Sequence, residues 1–253
     1  MNSCFAQDAR CIIDRIKPPE GYVRVQVDSG GFAEWLRNLP LKPGDPPVRL
    51  FNGKLKRNQE AHCAVIDMDV GNKNLQQCAD AIIRLRAEYL FSIGHYDAIH
   101  FNFTSGEQAD FRKWIQGYRP VVNNNKTNWI KSAEVDSSYY ALRQFLEIVM
   151  IYAGSYSLQK ELRKVPEITG MRIGDVFIQG GFPGHAVEIV DMAVDTISGR
   201  KAFLLAQSFM PAQDIHILRS PYDSNPWYPL DFGDSLRTPE WVFDKRNLYR
   251  FEK

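Results

Sequence analysis

The strongest periodic signal in the chain is a set of apolar positions three and four residues apart, Leu75, Cys78, Ile82, Leu85 and Tyr89, within NLQQCADAIIRLRAEYLF. That spacing predicts a helix with one apolar face. Asn74 suits its N-cap, and Gln77 three places on approaches a capping box, so Cys78 falls in the first turn and faces inward. Two-residue alternation marks the strands. HCAVIDMDVG reads as a half-buried strand, and GDVFIQ, HAVEIVDMAV, KAFLLAQSF and DIHIL follow as strands in the second half, with Ser198 and Gly199 supplying a hairpin turn. Between them, YDAIHFNF reads as a strand, SGEQADFRKWIQGY as a helix capped by Ser105, RPVVNNNKTNW as a polar connection, and residues 138–153 as a further capped helix.

Pro and Gly punctuate residues 17–60, which predicts short strands and loops with one short helix near FAEWLRNL. From Tyr222 onward the chain is irregular and aromatic, and it is expected to wrap the surface of the core. Helices first and an antiparallel sheet afterwards favour an α+β fold over a doubly wound parallel sheet. No repeat or linker divides the chain, so residues 17–253 are expected to form a single α+β domain, preceded by an N-terminal segment over residues 1–16.

With 253 residues, 44% of them hydrophobic, the chain is long enough to bury a substantial core. Its 31 Lys and Arg against 30 Asp and Glu leave no field to steer a polyanion, so nucleic acid is not an expected partner. No run approaches the roughly 20 apolar residues of a membrane span. The start, MNSCFAQ, resembles the end of a secretory signal and leaves three readings open: a lipid anchor through Cys4, cleavage after Ala6, or a frayed polar terminus. An exported, periplasmic or outer-membrane-associated protein is the expectation. The four cysteines, Cys4, Cys11, Cys63 and Cys78, are too few for a disulfide scaffold and match no zinc spacing, and neither a metal nor another cofactor is expected.

Candidate chemistry gathers on Cys78. A thiol attacks an acyl carbon as thiolate, which a helix N-terminus favours and a nearby histidine enables. His185 opens the HAVEIVD strand behind the glycine-rich GGFPG turn, and Gln207 on the next strand could orient its ring across a hairpin. Gln76 or Gln77 could donate to an oxyanion. His62 stands beside the same strand-to-helix connection as Cys78, and His100 and Asn102 share one polar strand face, so these three are candidate substrate contacts. Against this stands a structural reading of each: a core cysteine, a satisfied histidine at a strand start, a buried amide. Asp191, six residues along the strand from His185, is roughly 20 Å away at strand rise and is set aside. The helix pairs Asp80 with Arg84 and Arg84 with Glu88 read as exposed ion pairs.

A cysteine opening a helix, followed far downstream by GDVFI, a turn, GHAVEIVD and a third strand bearing a polar residue, resembles the CHAP and NlpC-type cysteine amidases and peptidases of the papain-like superfamily. The resemblance implies a helix packed on an antiparallel sheet, with extra N-terminal strands and an irregular tail here. It also implies cleavage of an amide bond in peptidoglycan-type or other peptide, with Cys78 as nucleophile, His185 as base and Gln207 as orienting residue. Two departures stand out: a longer separation from Cys to His, and Gln where Glu, Asp or Asn is more usual. The segments LQQCADAIIRLRAEYL, IHFNFTSG, GDVFIQGGFPGHAV and LLAQSFMPAQDIHIL also resemble an uncharacterised family of exported bacterial proteins, domain of unknown function 4846, over nearly everything after residue 17. That likeness implies export and a shared fold and brings no activity. The alternatives to a hydrolase are a non-catalytic envelope protein that binds glycan or peptide, and a transglutaminase-like acyl transferase, whose helix QCADAIIRLRAEYL also resembles.

Overall fold

A computed structural model describes residues 10–123 and 126–252. The expectations about Cys4 and Ala6 lie outside the described residues. Among the described residues there are six α-helices: α1 (Ile12–Arg15), α2 (Phe32–Arg37), α3 (Cys78–Ser92), α4 (Phe111–Ile115), α5 (Tyr139–Tyr152) and α6 (Ser155–Glu161). The N-terminal and central strands are β1 (Tyr22–Arg24), β2 (His62–Val65), β3 (His100–Asn102), β4 (Gln108–Asp110), β5 (Tyr118–Asn123) and β6 (Lys126–Lys131). They are followed by β7 (Arg163–Lys164), β8 (Asp175–Gln179), β9 (His185–Asp195), β10 (Lys201–Gln207) and β11 (His216–Leu218), and then by β12 (Tyr228–Pro229), β13 (Ser235–Arg237), β14 (Val242–Asp244) and β15 (Leu248–Arg250).

One antiparallel sheet organises the chain in the order β2-β11-β10-β9-β8-β15-β7, with β1 on the far end of β9 and β12 on the start of β10. Its centre, β8 to β10, is buried on both faces. The pleat sorts the side chains cleanly. Val176, Ile178, Ala186, Val190, Leu204 and Ala206 face the helix layer, where they meet Ala79, Ala81, Ile82, Ile83 and Leu85 of α3. Phe177, Val187, Ile189, Phe203 and Leu205 face the other way and meet Tyr228, Leu236, Phe243 and Leu248 from the C-terminal segment. Each such ring or branched side chain stabilises the fold by about 1.5–3 kcal/mol on burial.

This mixed α+β architecture with a mainly antiparallel sheet matches the expected class, and the four second-half strands and the helix of α5, capped by Ser138, fall where the pattern put them. Several details differ. The α3 helix starts at Cys78 with Gln77 as N-cap, because Asp80 Oδ2 accepts the Gln77 backbone N–H at 3.0 Å. Asn74 lies outside the helix, and its Oδ1 accepts instead from the Ala212 backbone N–H. α3 is also buried nearly all round rather than on one stripe, since α5 and the β3–β4 hairpin cover the side away from the sheet. Arg84, expected at the surface, is 1% exposed and donates to Gln76 Oε1, to the Asp69 carbonyl and to Glu88 Oε1.

β2 is buried throughout rather than half-buried, because both the helix layer and the tail reach it. The segment expected as a helix from Ser105 forms β4 first and then α4, capped by the Asp110 carboxylate on the Arg112 N–H. The polar connection after it is the β5–β6 hairpin, its alternation masked by polar residues on an exposed ribbon. The tail does more than wrap: β15 inserts between β8 and β7, and β13–β14 form a hairpin over the second face. Among the described residues, no helix is long and apolar enough to cross a membrane.

Candidate functional site

At one end of the sheet β9 begins and β10 ends, and there the pleat puts His185 and Gln207 on the same face. His185 Nε2 lies 2.8 Å from Gln207 Oε1. The imidazole is 1% exposed and sits among Phe209, Trp241 and Phe243, with ring centroids 4.7, 5.3 and 5.7 Å away. Gln207 Nε2 in turn lies 2.8 Å from Glu240 Oε2 and 3.3 Å from His216 Nε2, its directly paired neighbour on β11. His216 Nδ1 lies 2.9 Å from the Asp214 carbonyl oxygen. Lys56 Nζ pairs with Glu240 Oε1 and donates to the Asn58 carbonyl. His62 closes the cluster: its ring meets His216 edge-on at 5.9 Å, and its Nε2 lies 3.1 Å from the Pro46 carbonyl.

Cys78 occupies the first helical position of α3. Its loop is tied to the end of β10, since the Ser208 hydroxyl lies 2.9 Å from both the Gln76 and Gln213 carbonyl oxygens. Burial pushes the thiol up to about 11, reinforced by the charge of Asp80 and opposed by the backbone N–H groups of Ala79, Ala186 and Cys78 itself. The influence of the Ala186 N–H sets the sulfur near the strand residue that follows His185. The pleat nevertheless sends the two side chains apart. Ala186 packs under the helix layer, while the His185 ring turns to the aromatic face, and no hydrogen bond joins the sulfur to either His185 nitrogen.

Burial pushes His185 down to about 4, partly offset by its bond to Gln207, and His216 down to about 3. At neutral pH the site therefore rests as a neutral thiol beside neutral imidazoles. Asp80 is moved up to about 7 by burial, opposed by the Gln77 and Asp80 backbone N–H groups.

Of the two glutamines proposed for an oxyanion, Gln76 and Gln77 now separate. Gln76 is 2% exposed, Arg84 holds its Oε1, and its Nε2 is buried without a partner. Gln77 is taken up by the helix cap, with its side-chain Nε2 on Asn74 Oδ1 at 3.4 Å. His62 does join the cluster, through His216 rather than through Cys78. His100 and Asn102 do not. They lie on the separate β3–β4 hairpin, where His100 Nδ1 meets Gln108 Nε2 at 3.1 Å and the Asn102 backbone N–H donates to Glu161 Oε2 of α6. Asp191 is structural, clamped between Arg24 at 2.6 Å and Arg37 at 2.7 Å. Cys11, Cys63 and Cys78 are all free thiols.

Three members of the cluster were not singled out from the sequence. His216 was within reach, because a hairpin between LLAQSF and DIHIL pairs it with Gln207. Glu240 and Lys56 carry no such signal, being brought in by the tail and by an N-terminal loop. Among the described residues no group of three His, Cys, Asp or Glu side chains could hold a metal ion. A cavity of about 580 Å³ lies at the other end of β9, lined by Val25, Phe32, Met171, Arg172, Met192 and Lys201, and includes none of the candidate residues.

No curated protein and no solved structure matches the chain. One family model does, over residues 12–250, which takes in every element of the sheet and every residue of the cluster. The chain belongs to that family, described as domain of unknown function (4846).

Proposed function

We propose that the chain is a papain-like cysteine hydrolase that cleaves an amide bond, with Cys78 as nucleophile, His185 as base and Gln207 as the residue that orients the imidazole. The observation that carries this reading is the contact of His185 Nε2 with Gln207 Oε1 at the start of the strand whose next residue, Ala186, has a backbone N–H near enough to Cys78 to favour its thiolate. With Nε2 engaged, Nδ1 is the nitrogen left for a proton. Because the thiol rests protonated, the proton moves during attack. Sulfur forms the C–S bond as its proton passes to His185 Nδ1, a transfer that requires the ring to turn from the aromatic face toward the helix layer, and the carbonyl electrons move onto oxygen. The Gln76 amide, buried with Nε2 unpartnered, and the N–H at the start of α3 supply donors for that oxygen. Collapse breaks the C–N bond, the amine leaves with the proton from His185, and water then cleaves the thioester, its proton going to His185 and on to the sulfur.

The chemistry suits a secondary amide, and cell-wall peptide is the substrate class in keeping with an exported protein. The test is a digest of peptidoglycan-derived peptides and simple acyl amides by the purified chain, with products read by mass spectrometry. New amine and carboxylate ends that vanish in Cys78→Ala support the reading, and products that persist in that variant overturn it.

A second reading rests on the seal around His185. An imidazole 1% exposed beneath Phe209, Trp241 and Phe243, and turned away from the helix layer, is what a non-catalytic binding protein would retain. On that reading the same digest stays intact while the peptides bind. A transglutaminase-like transfer would instead show as amine incorporation in place of hydrolysis.

A further inference from the structure

We propose that Glu240, anchored by Lys56, is a positioning residue that sets which nitrogen of His185 carries the proton. The inference rests on His185 acting as the base. A carboxamide can be turned by 180° at little steric cost, and the turn would exchange its donor for its acceptor. If Gln207 presented its NH2 group to His185, the imidazole would have to accept at Nε2 and carry its proton on Nδ1. That is the nitrogen which must be bare to take a proton from sulfur.

The surroundings of Gln207 forbid the turn. His216 Nδ1 faces the Asp214 carbonyl, which can only accept, so Nδ1 holds the His216 proton and Nε2 is an acceptor. Glu240 Oε2, its partner oxygen held by Lys56, is a second acceptor. Both lie around Gln207 Nε2, at 3.3 and 2.8 Å, and together they take its two hydrogens. Turning the amide would set an oxygen against a carboxylate and against an imidazole lone pair, in a site where Gln207 is 1% exposed. Oε1 must therefore face His185, Nε2 of His185 must donate, and Nδ1 stays bare. The carboxylate missing from the third position of the triad is thus present one step behind it, acting through the amide.

The experiment is nitrogen-15 NMR of the histidine rings in the full chain at pH 7.5, on wild type, Glu240→Leu and the conservative Glu240→Gln, whose carbonyl can still accept from Gln207. The expected wild-type spectrum has His185 protonated on Nε2 and His216 on Nδ1. Glu240→Leu should mix the His185 tautomers and slow His185-dependent labelling of Cys78 about tenfold, while Glu240→Gln restores the single tautomer. A wild-type His185 protonated on Nδ1 overturns the proposal even if neither variant folds, and so does an unchanged tautomer in a folded Glu240→Leu. Because the readout needs no turnover, a protein that cleaves nothing yet shows this proton pattern removes the hydrolase reading and leaves the pattern standing.

Discussion

Gln207 Oε1 and His185 Nε2 stand 2.8 Å apart on neighbouring strands, and the two hydrogens of the Gln207 amide are shared between Glu240 and His216. Every polar atom of this glutamine is therefore committed within the protein. Replacing it by Leu strands two buried histidines and the partly buried Glu240, and stability should fall by about 1–3 kcal/mol. Gln207→Glu should be at least as costly and should not speed any reaction of Cys78, since a new carboxylate meets Glu240 and the donor to His216 is lost. Urea unfolding of the two variants at pH 7.5 measures this.

The two depressed histidines make a signed prediction. His185, near 4, and His216, near 3, bind protons in the unfolded chain before they do in the folded one. Their contribution is complete above about pH 6.5 and is lost as pH falls toward 4, by up to roughly 3 kcal/mol each. Asp80 and Glu161, both raised to about 7, and Glu188, raised well above its usual value, pull the opposite way over the same range. The histidine part is therefore read as a difference. His216→Asn should lose less stability than wild type between pH 7.5 and pH 5, and equal losses would contradict the assignment.

Glu188 lies fully buried on the helix-layer side of β9, both carboxylate oxygens without a hydrogen-bond partner. Burial raises its carboxyl, opposed by the charge of Arg86. Glu188→Met, similar in volume, should stabilise the protein by about 1–3 kcal/mol at pH 8 and by less at pH 5, because an upward-shifted native carboxyl costs the wild type more as pH rises. Thermal unfolding at the two pH values gives the comparison.

Asp191 holds Arg24 and Arg37 with a side chain that is 0% exposed. Its replacement by Ala leaves two guanidinium groups short of their carboxylate, and roughly 3–5 kcal/mol should be lost. The fraction that remains folded should label at Cys78 as wild type does, because the clamp lies well along β9 from His185. A labelling defect in folded Asp191→Ala would tie this ion pair to the site.

How far the chain can be read without coordinates depended on where the information lies. Alternation along residues 174–218 exposed four paired strands, and pairing alone implied that His185 and Gln207 could touch. The helix face was misread because α3 is covered on both sides, so its Arg84 looks like a surface residue although it binds Gln76 and the Asp69 carbonyl. The hairpin β5–β6 and the role of the tail were hidden for a related reason: exposed ribbons carry polar residues at positions that buried strands fill with apolar ones. Glu240 reaches Gln207 across 33 positions of sequence, a distance no local pattern encodes. The pleat also overruled the simplest expectation, placing the Cys78 sulfur next to the backbone after His185 rather than against its ring.

The central claim is that His185 takes the proton of Cys78, and the three free thiols among the described residues, Cys11, Cys63 and Cys78, provide the comparison within one molecule. Burial alone ranks Cys11, the most exposed, as the most reactive, with Cys63, pushed up to about 12, and Cys78, near 11, far behind. The decisive measurement is the site-resolved rate of labelling by a small amide-like electrophile at pH 7, followed by peptide mass spectrometry in wild type and His185→Ala. A base-assisted thiol should react ahead of Cys11 and slow by about a hundredfold or more when the imidazole is removed. Labelling of Cys11 first, with Cys78 equally slow in both proteins, would contradict the account.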